Sequence, residues 1–330
     1  MSDVSISIEG IGPELLEAYE VSGMDRGKAG AGAISWAFAS NPRPFVVARQ
    51  DGAITGVSAY ILSRIKLGAA TGTGLQAVDS FVSSAMRGKG VFTQLARAYD
   101  AHAGETGADL VWGFPNDNAA PAWFGKLGWG NLGQVPFLIK PLRAGYLLRK
   151  VGLGLDFPIA FSRDQHLPAV TEIGGWADVL WEREAAGIGC ASVRDRAFLS
   201  HRLIQAPQAG DYRVVADTDP VRPALVATRE ASKHGGRIGY LMEALGGPSL
   251  SALLNSELGR LRGRGVDLVL AWSFPWSPNY RMLRQAGFLP LPERLRPIRI
   301  WFGSRSKTAA ASRAGEARQW YLSYLDSDTV

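Results

Sequence analysis

The sequence contains a single cysteine, Cys190, among 330 residues. One cysteine excludes an internal disulfide framework and is typical of a reducing compartment, so we expect a cytoplasmic protein. The four histidines are scattered, without the paired spacing of zinc ligands, and we expect no metal site. The sequence also lacks a G-x-S-x-G motif, which argues against one common form of serine nucleophile.

Long apolar runs are absent as well. No run approaches the roughly 18–20 residues of a membrane span, and the first residues, MSDVSISIEG, lack the basic start and apolar core of a signal peptide. The net charge of +6 is diffuse. It suits an anionic cofactor, an acidic substrate or RNA without choosing among them, and most of these charges are expected on a solvated surface.

The most informative stretch is 76–95, QAVDSFVSSAMRGKGVFTQL. Residues 77–82 are typical of a strand, RGKG at 87–90 of a turn, and 91–95 of the start of a helix. A strand that ends at a glycine-rich turn before a helix directs several backbone N–H groups at one point, where the helix dipole and two cations add positive charge. The stretch predicts a pyrophosphate-binding turn; the alternative is an exposed basic turn before an ordinary helix.

Two motifs recur with a nearly constant offset of 158 to 159 positions. GADLV at 107–111 is similar to GVDLV at 265–269, and FGKLGW at 124–129 is similar to LRQAGF at 283–288. Such an offset indicates two versions of one α/β unit.

We therefore predict an N-terminal domain at 1–150, a C-terminal domain at 151–303 and a tail at 304–330. The glycine-rich segments 24–33 and 68–74 are expected to be loops, from which an acceptor pocket is built.

The order of these motifs resembles the GNAT N-acyltransferase superfamily, whose members bind acyl-coenzyme A. RGKGVF at 87–92 is similar to the family's pyrophosphate turn, with Phe92 in place of the final Gly or Ala. FGKLGW at 124–129 is similar to its Y-x-K-x-G-F segment, with Phe124 in place of Tyr. The two motifs cover roughly residues 76–130, and the repeat extends a weaker likeness to most of the chain, as in tandem GNAT proteins.

The resemblance implies an α/β fold of two tandem GNAT-like units, each with a mixed, mostly antiparallel central sheet flanked by helices. It implies acetyl-coenzyme A, or another acyl-coenzyme A, as the co-substrate, with its pyrophosphate on the turn amides. The strand at 77–82 would splay from its neighbour and leave backbone groups for the pantetheine arm and the thioester carbonyl. The expected cofactor-binding residues are Phe81, Val82, Arg87, Gly88, Lys89, Gly90, Val91, Phe92, Asn116, Asn118 and Phe124.

Two of these assignments have alternatives in local structure. Asn116 and Asn118 lie in the family's asparagine region, but turn and N-cap chemistry also favours Asn there. Asp79 is the candidate general base, and the alternative is a carboxylate held by hydrogen bonds in a strand bulge. Phe124 cannot protonate the departing thiolate, as the Tyr of many relatives does.

The implied activity is an N-acyltransferase, most simply an N-acetyltransferase, acting by direct attack of an amine of a small molecule or amino sugar. One alternative is a Fem-type transferase that takes its acyl group from aminoacyl-tRNA; the intact turn at 87–90 argues against it, and we expect no nucleic-acid partner. Another is a non-catalytic acyl-coenzyme A-binding module. A homo-oligomer is compatible with the sequence.

The second unit lacks the cations of the turn. At the same offset it carries LGGPSL at 245–250, where Pro248 also removes an N–H donor. We predict one acyl-coenzyme A site, in the first unit. Glu243 and the loop at 272–279 are expected to face a cleft as part of an acceptor wall.

Overall fold

The protein is described by a computed structural model over residues 4–23, 30–150, 152, 154–159, 167–207, 209–233, 235–296 and 298–327. Residues 24–29 of the predicted loop at 24–33 lie outside these residues, as does residue 151 at the predicted domain boundary, and residues 30–33 begin a helix instead of a loop. The chain divides into two compact units. The first contains Met1–Gln134 and Arg299–Gln319, and the second contains Val135–Ile298 and Trp320–Val330.

The first unit is built on a mixed sheet. Its strands are β1 (Ser5–Glu9), β2 (Phe45–Gln50), β3 (Ala53–Leu67), β4 (Ala70–Val82), β5 (Leu110–Gly113), β6 (Gly130–Gln134) and, from the C-terminal part of the chain, β14 (Trp301–Ser306). They are ordered β1-β2-β3-β4-β5-β14-β6. The β4–β5 pair is parallel, and the other pairs along this order are antiparallel.

Helices cover both faces of this sheet. They are α1 (Pro13–Ser22), α2 (Gly30–Ala37), α3 (Val91–Glu105) and α4 (Ala120–Gly125). Alternation along β2 separates two apolar clusters, since Val46 and Ala48 pack with α3 while Phe45 and Val47 pack with α1 and α2. The hairpin turn between β2 and β3 has Asp51 at φ 52° and Gly52 at φ 83°, the left-handed conformation that a tight hairpin favours.

The second unit has a sheet of the same kind. Its strands are β7 (Phe137–Pro141), β9 (Tyr212–Asp217), β10 (Ala224–Lys233), β11 (Gly236–Gly246), β12 (Leu268–Trp272) and β13 (Leu289–Pro290), ordered β13-β7-β12-β11-β10-β9; a short strand β8 (Cys190–Ser192) precedes β9 in the chain. Only β11–β12 is parallel among these pairs. The helices are α5 (Gly145–Lys150), α6 (Trp176–Ala185), α7 (Arg196–Leu199), α8 (Leu250–Gly263) and α9 (Tyr280–Gln285), with α8 against the apolar core of the sheet.

These two sheets confirm the predicted fold class of two mixed, mostly antiparallel sheets flanked by helices. The bounds of the two units differ from the predicted domain bounds, because each sheet includes one strand that the prediction assigned to another part of the chain. β7 pairs with β12 in the second unit, so that unit starts at Val135 rather than at 151. β14 pairs with β5 and β6, so residues 304–319 belong to the first unit and are not a separate tail.

The predicted loop at 68–74 was wrong. Gly72 and Gly74 lie in β4, which pairs with β3 from Ala70 onward, and only residues 68 and 69 form the turn between the two strands. They are required by close approach, since a Cβ on Gly72 would lie 2.3 Å from a carboxylate oxygen of Asp109, and one on Gly74 would lie 2.3 Å from the side chain of Ile65. Glycine here serves packing within a strand and not loop flexibility.

Candidate active site

Strand β4 separates from β5 partway along its length. Their pairing ends at Ala77 and Gly113, while β4 continues to Val82. Gly113 permits this close meeting point, because a Cβ there would lie 2.8 Å from the carbonyl oxygen of Ala77. Beyond it, within the described residues, β4 is paired with β3 only, so one edge of the strand is open over five residues.

A bulge lies at the start of this open edge. Ala77 pairs with Tyr60 and Ser80 pairs with Ser58, so two residues of β4 stand opposite one residue of β3. Asp79 is one of the two, and its side chain is buried. The bulge therefore places a carboxylate next to the point where β4 and β5 part, at the position predicted for a general base.

The backbone of Val82 faces the open edge. The N–H of Ser83 donates to the carbonyl of Thr55 in β3 at 2.8 Å. Backbone groups alternate sides along a strand, so the N–H of Val82 points away from β3. Phe81 points the other way, toward Val57, and its ring packs against Tyr19 at 6.0 Å. Of the two predicted backbone contacts, Val82 is therefore the available donor.

The turn that follows is shaped by two glycines. Gly88 and Gly90 have φ of 77° and 80°, which L-residues with a side chain rarely adopt, and open space lies where each Cβ would be. The first bond of α3 runs from the N–H of Gln94 to the carbonyl of Gly90 at 3.1 Å. Within the described chain, the N–H groups of residues 91–93 have no acceptor and, at a helix N-terminus, point toward an anion-binding position.

Two exposed cations flank these amides. Arg87 and Lys89 form no ion pair with any residue that the structure describes, and the Lys89 ammonium lies 3.7 Å from the sulfur of Met86. Met86 is buried and Val91 begins the buried face of α3, so the core anchors both ends of the turn. The turn combines a rigid backbone with uncompensated positive charge, which is suited to a phosphate group.

The other predicted contacts have local roles. The side-chain oxygen of Asn116 accepts hydrogen bonds from the N–H groups of Asn118 and Ala119, each at 3.1 Å, so it stabilises the turn before α4. Asn118 is exposed in the same turn. Phe92 is half-buried against Trp123, with ring centres 5.8 Å apart.

Phe124 packs on β14, which begins in the predicted C-terminal domain and ends in the predicted tail. Its ring lies 6.4 Å from that of Trp301 and covers Gly303, where a Cβ would lie 2.6 Å from the ring. The motif at 124–129 gave no signal of this partner, since β14 is separated from it by about 170 residues.

A cavity of about 390 Å³ lies in the first unit beside the later turns of α3. It is lined by α3, by the segment that follows α4, and by Arg305. Tyr60 and Tyr99 stack at its wall with ring centres 3.4 Å apart, and burial raises the pKa of both phenols. The cavity does not include the turn at 87–90, so we assign the candidate active site to the open edge of β4 and that turn.

In the second unit, β11 parts from β12 after Leu241 and ends at Gly246. The connection to α8 is three residues, 247–249, and carries no cation. The expectation that Glu243 faces a cleft was wrong, because its side chain is buried and paired with Arg194 at 3.1 Å. Trp272 and Asn279 are buried too, although Trp276 between them is exposed.

Within the described ranges, no group of three or more His, Cys, Asp and Glu side chains is arranged to hold a metal ion. A search of the same ranges finds no helix with the length and apolar character of a membrane span.

No protein-family model and no curated protein sequence matches the chain. Solved structures do match its fold. A GCN5-related N-acetyltransferase from Anabaena variabilis superposes with a TM-score of 0.65 at 11% identity, covering 95% of this chain and 75% of that one. A GCN5-related N-acetyltransferase from Kribbella flavida has a TM-score of 0.55 at 14% identity, with 96% and 74% covered.

An N-myristoyltransferase from Saccharomyces cerevisiae, solved with bound myristoyl-CoA and inhibitors, has a TM-score of 0.58 at 13% identity and covers 93% of this chain and 81% of its own. At these identities the likeness shows the fold. The chain has the GNAT fold, as the motifs at 87–92 and 124–129 predicted.

Proposed function

We propose that this GNAT-fold chain is an acyl-coenzyme A-dependent N-acyltransferase with one acyl-coenzyme A site, in the first unit. The observation that carries the proposal is the open edge of β4 leading directly into the turn at 87–90. The turn offers free helix amides and two unpaired cations to a pyrophosphate. The edge offers the N–H of Val82, the last residue of β4 before the connection to the turn. The names of the similar structures, all N-acyltransferases, agree with this chemistry.

In the proposed reaction the pantetheine arm pairs with the open edge of β4 as an additional strand would. The Val82 N–H then polarises the thioester carbonyl and stabilises the oxyanion that forms on it. The acceptor amine attacks the carbonyl carbon directly, its proton passes to Asp79, and the carbon–sulfur bond breaks. The thiolate is a good leaving group and takes a proton from solvent, since Phe124 carries no hydroxyl.

The acyl group is proposed to be acetyl, the simplest that the motif implies, and the acceptor an amine of a small molecule or an amino sugar. The similar structure with bound myristoyl-CoA makes a longer chain the competing assignment. Thiol release measured with acyl-coenzyme A of increasing chain length and a panel of amines distinguishes them. Acetyl-specific turnover with a small amine supports the assignment, and a preference for acyl chains beyond about eight carbons contradicts it.

Titration calorimetry with coenzyme A tests the site itself. We expect one molecule bound per chain, and either no binding or two equivalent molecules would contradict the proposal. The Phe at position 124 favours a second candidate function, a non-catalytic acyl-coenzyme A-binding module. That function predicts normal coenzyme A binding with no thiol release for any amine.

A further inference from the structure

The C-terminal segment 320–327 is buried along its whole length in the second unit. Its backbone is held as a bound peptide would be. The N–H of Tyr321 donates to the carbonyl of Cys190 in β8 at 2.9 Å, where Trp320 and Cys190 form a parallel bridge. Arg202 donates to the carbonyls of Leu325 and Ser327, each at 2.9 Å. Main-chain pairing together with side-chain pockets is a common mode of peptide recognition.

This segment lies at the open edge of β11, which corresponds to the candidate site of the first unit. The Ser323 hydroxyl donates to Glu243 at 2.9 Å, and the Tyr321 hydroxyl donates to the same carboxylate. Tyr324 stacks on Trp272, the last residue of β12, with ring centres 4.6 Å apart. Tyr324 also packs against Tyr240 in β11, with ring centres 5.3 Å apart, so the segment covers one face of the sheet beside the point where β11 and β12 part.

A buried arginine, Arg194, forms a salt bridge with the carboxylate of the segment, Asp326. Arg194 bonds to Asp326 and to Glu243, and it donates to the carbonyl of Ser192 at 2.7 Å. Burial alone lowers the pKa of Arg194, but the carboxylates of Asp326 and Glu243 outweigh it, and the pKa is raised. The second oxygen of Asp326 accepts from Ser192 at 3.0 Å, so the carboxylate has a dedicated receptor site.

The charge of Arg194 would stay paired if the segment 320–327 left the groove. Arg194 keeps Glu243 and the carbonyl of Ser192, both of which lie outside the segment. Tyr321, which bonds to Glu243, and Asp326, which bonds to Arg194, both belong to the segment that would leave. An empty groove would thus expose Arg194 paired with Glu243 and the aromatic ring of Trp272, and would leave no charge buried without a partner.

We propose that the second unit is a peptide-binding module, that its groove is occupied by the chain's own segment 320–327, and that it accepts in trans peptides with the same Tyr-x-Ser-Tyr-x-Asp pattern. The aromatic residues supply apolar contact and the aspartate supplies charge recognition by Arg194. This site is independent of the proposed acyl-coenzyme A site.

The test uses the full chain with a specific protease site inserted between Gly315 and Glu316, which are both exposed. After cleavage, a labelled synthetic peptide of residues 316–330 is added and its exchange into the groove is followed by fluorescence anisotropy. We expect saturable exchange under native conditions while the circular dichroism of the protein is retained. An Asp326→Asn peptide should bind at least about a hundredfold more weakly, because it lacks the charge that Arg194 pairs.

The control peptide carries Arg318→Gln, a change at an exposed position whose side chain forms no ion pair with the described residues, and should bind within about twofold of the unmodified peptide. Exchange that requires unfolding of the second unit would show that the segment is an ordinary part of the core and overturn the proposal. Equal binding of the Asp326→Asn peptide would overturn it as well.

Discussion

In the first unit β4 runs five residues past its last pairing with β5, and in the second unit β11 runs five residues past its last pairing with β12. A bulge interrupts the pairing with the preceding strand at the same place in both. Counting from the last paired residues, Ala77 and Leu241, an acidic residue follows two positions later in each unit. These residues are Asp79 and Glu243.

The units diverge immediately after this point. The connection to the next helix is eight residues long in the first unit, 83–90, and three residues long in the second, 247–249. The short connection lacks the turn with its two left-handed glycines and both cations. The open edge also differs, because in the second unit Asn279 donates to the carbonyl of Ala244 at 3.0 Å and the segment 320–327 lies against Glu243.

Under the proposed function, this difference means that the splayed sheet alone does not make an acyl-coenzyme A site. The geometry common to both units provides an edge, and the length of one turn and the occupant of the edge decide what it binds. Five experiments address this comparison.

The largest effect is expected from Gly90→Asp. The new carboxylate would project from the turn toward the proposed phosphates, and like charges in contact cost several kcal/mol. We expect coenzyme A affinity to fall at least about a hundredfold by calorimetry. Gly52→Asp is the matched control, because Gly52 also has positive φ and open space but lies in the β2–β3 hairpin. Equal affinities for the two variants would remove the turn from the site.

Substitutions of the two acidic residues at the bulges are expected to differ in effect: at Asp79 the change lowers kcat, and at Glu243 it lowers the free energy of unfolding. If Asp79 is the general base, Asp79→Asn lowers kcat about a hundredfold and leaves coenzyme A affinity unchanged, since general base catalysis contributes that much or more. Initial rates of thiol release and a parallel binding titration measure both quantities. An unchanged kcat would leave Asp79 as a structural carboxylate of the bulge.

Glu243→Gln is the counterpart in the second unit. It removes one of the two carboxylates that pair with the buried Arg194, so we expect a loss of about 2 kcal/mol in the free energy of unfolding and an unchanged kcat. Chemical denaturation followed by tryptophan fluorescence measures the loss. A variant that lost activity without losing stability would mean that the second unit takes part in catalysis.

A smaller effect is expected for the cations of the turn. Arg87→Gln and Lys89→Gln should each weaken coenzyme A binding about tenfold, because each removes one charge-assisted contact with a phosphate. The loss should shrink as salt concentration rises, since both side chains are exposed. Arg313→Gln changes an exposed arginine of the first unit away from the turn and should leave the affinity unaltered.

The sequence predicted the part of the candidate site that depends on local chemistry. A strand, a glycine-rich turn and a helix starting at Val91 follow from alternation, from Gly88 and Gly90 and from the helical spacing of apolar residues. The repeat predicted two α/β units, and the resemblance to the GNAT superfamily implied their mixed, mostly antiparallel sheets. What sequence reasoning missed are partners far apart in the chain.

Strand β14 is one such partner. Its residues follow a segment rich in proline and arginine, and nothing local indicates that Trp301 lies beside Phe124. The segment 320–327 is another, because the buried Asp326 is paired with Arg194, more than 130 positions earlier. Likewise the glycines at 72 and 74 resemble a loop until the side chains of Asp109 and Ile65 are placed against them.

The smallest expected effect is the sharpest test of the comparison. Replacing residues 247–249 by the turn sequence of 83–90, SSAMRGKG, gives the second unit the glycines and cations that it lacks. We nevertheless expect calorimetry to find one coenzyme A per chain, because Asn279 already donates to the Ala244 carbonyl in the open edge of β11, and Tyr321 and Ser323 bond to Glu243 beside it. The same graft in a Gly90→Asp background should bind none, with thermal melts confirming that both variants are folded. Two molecules per grafted chain would mean that the turn alone makes the site and that the segment 320–327 yields its place to the cofactor.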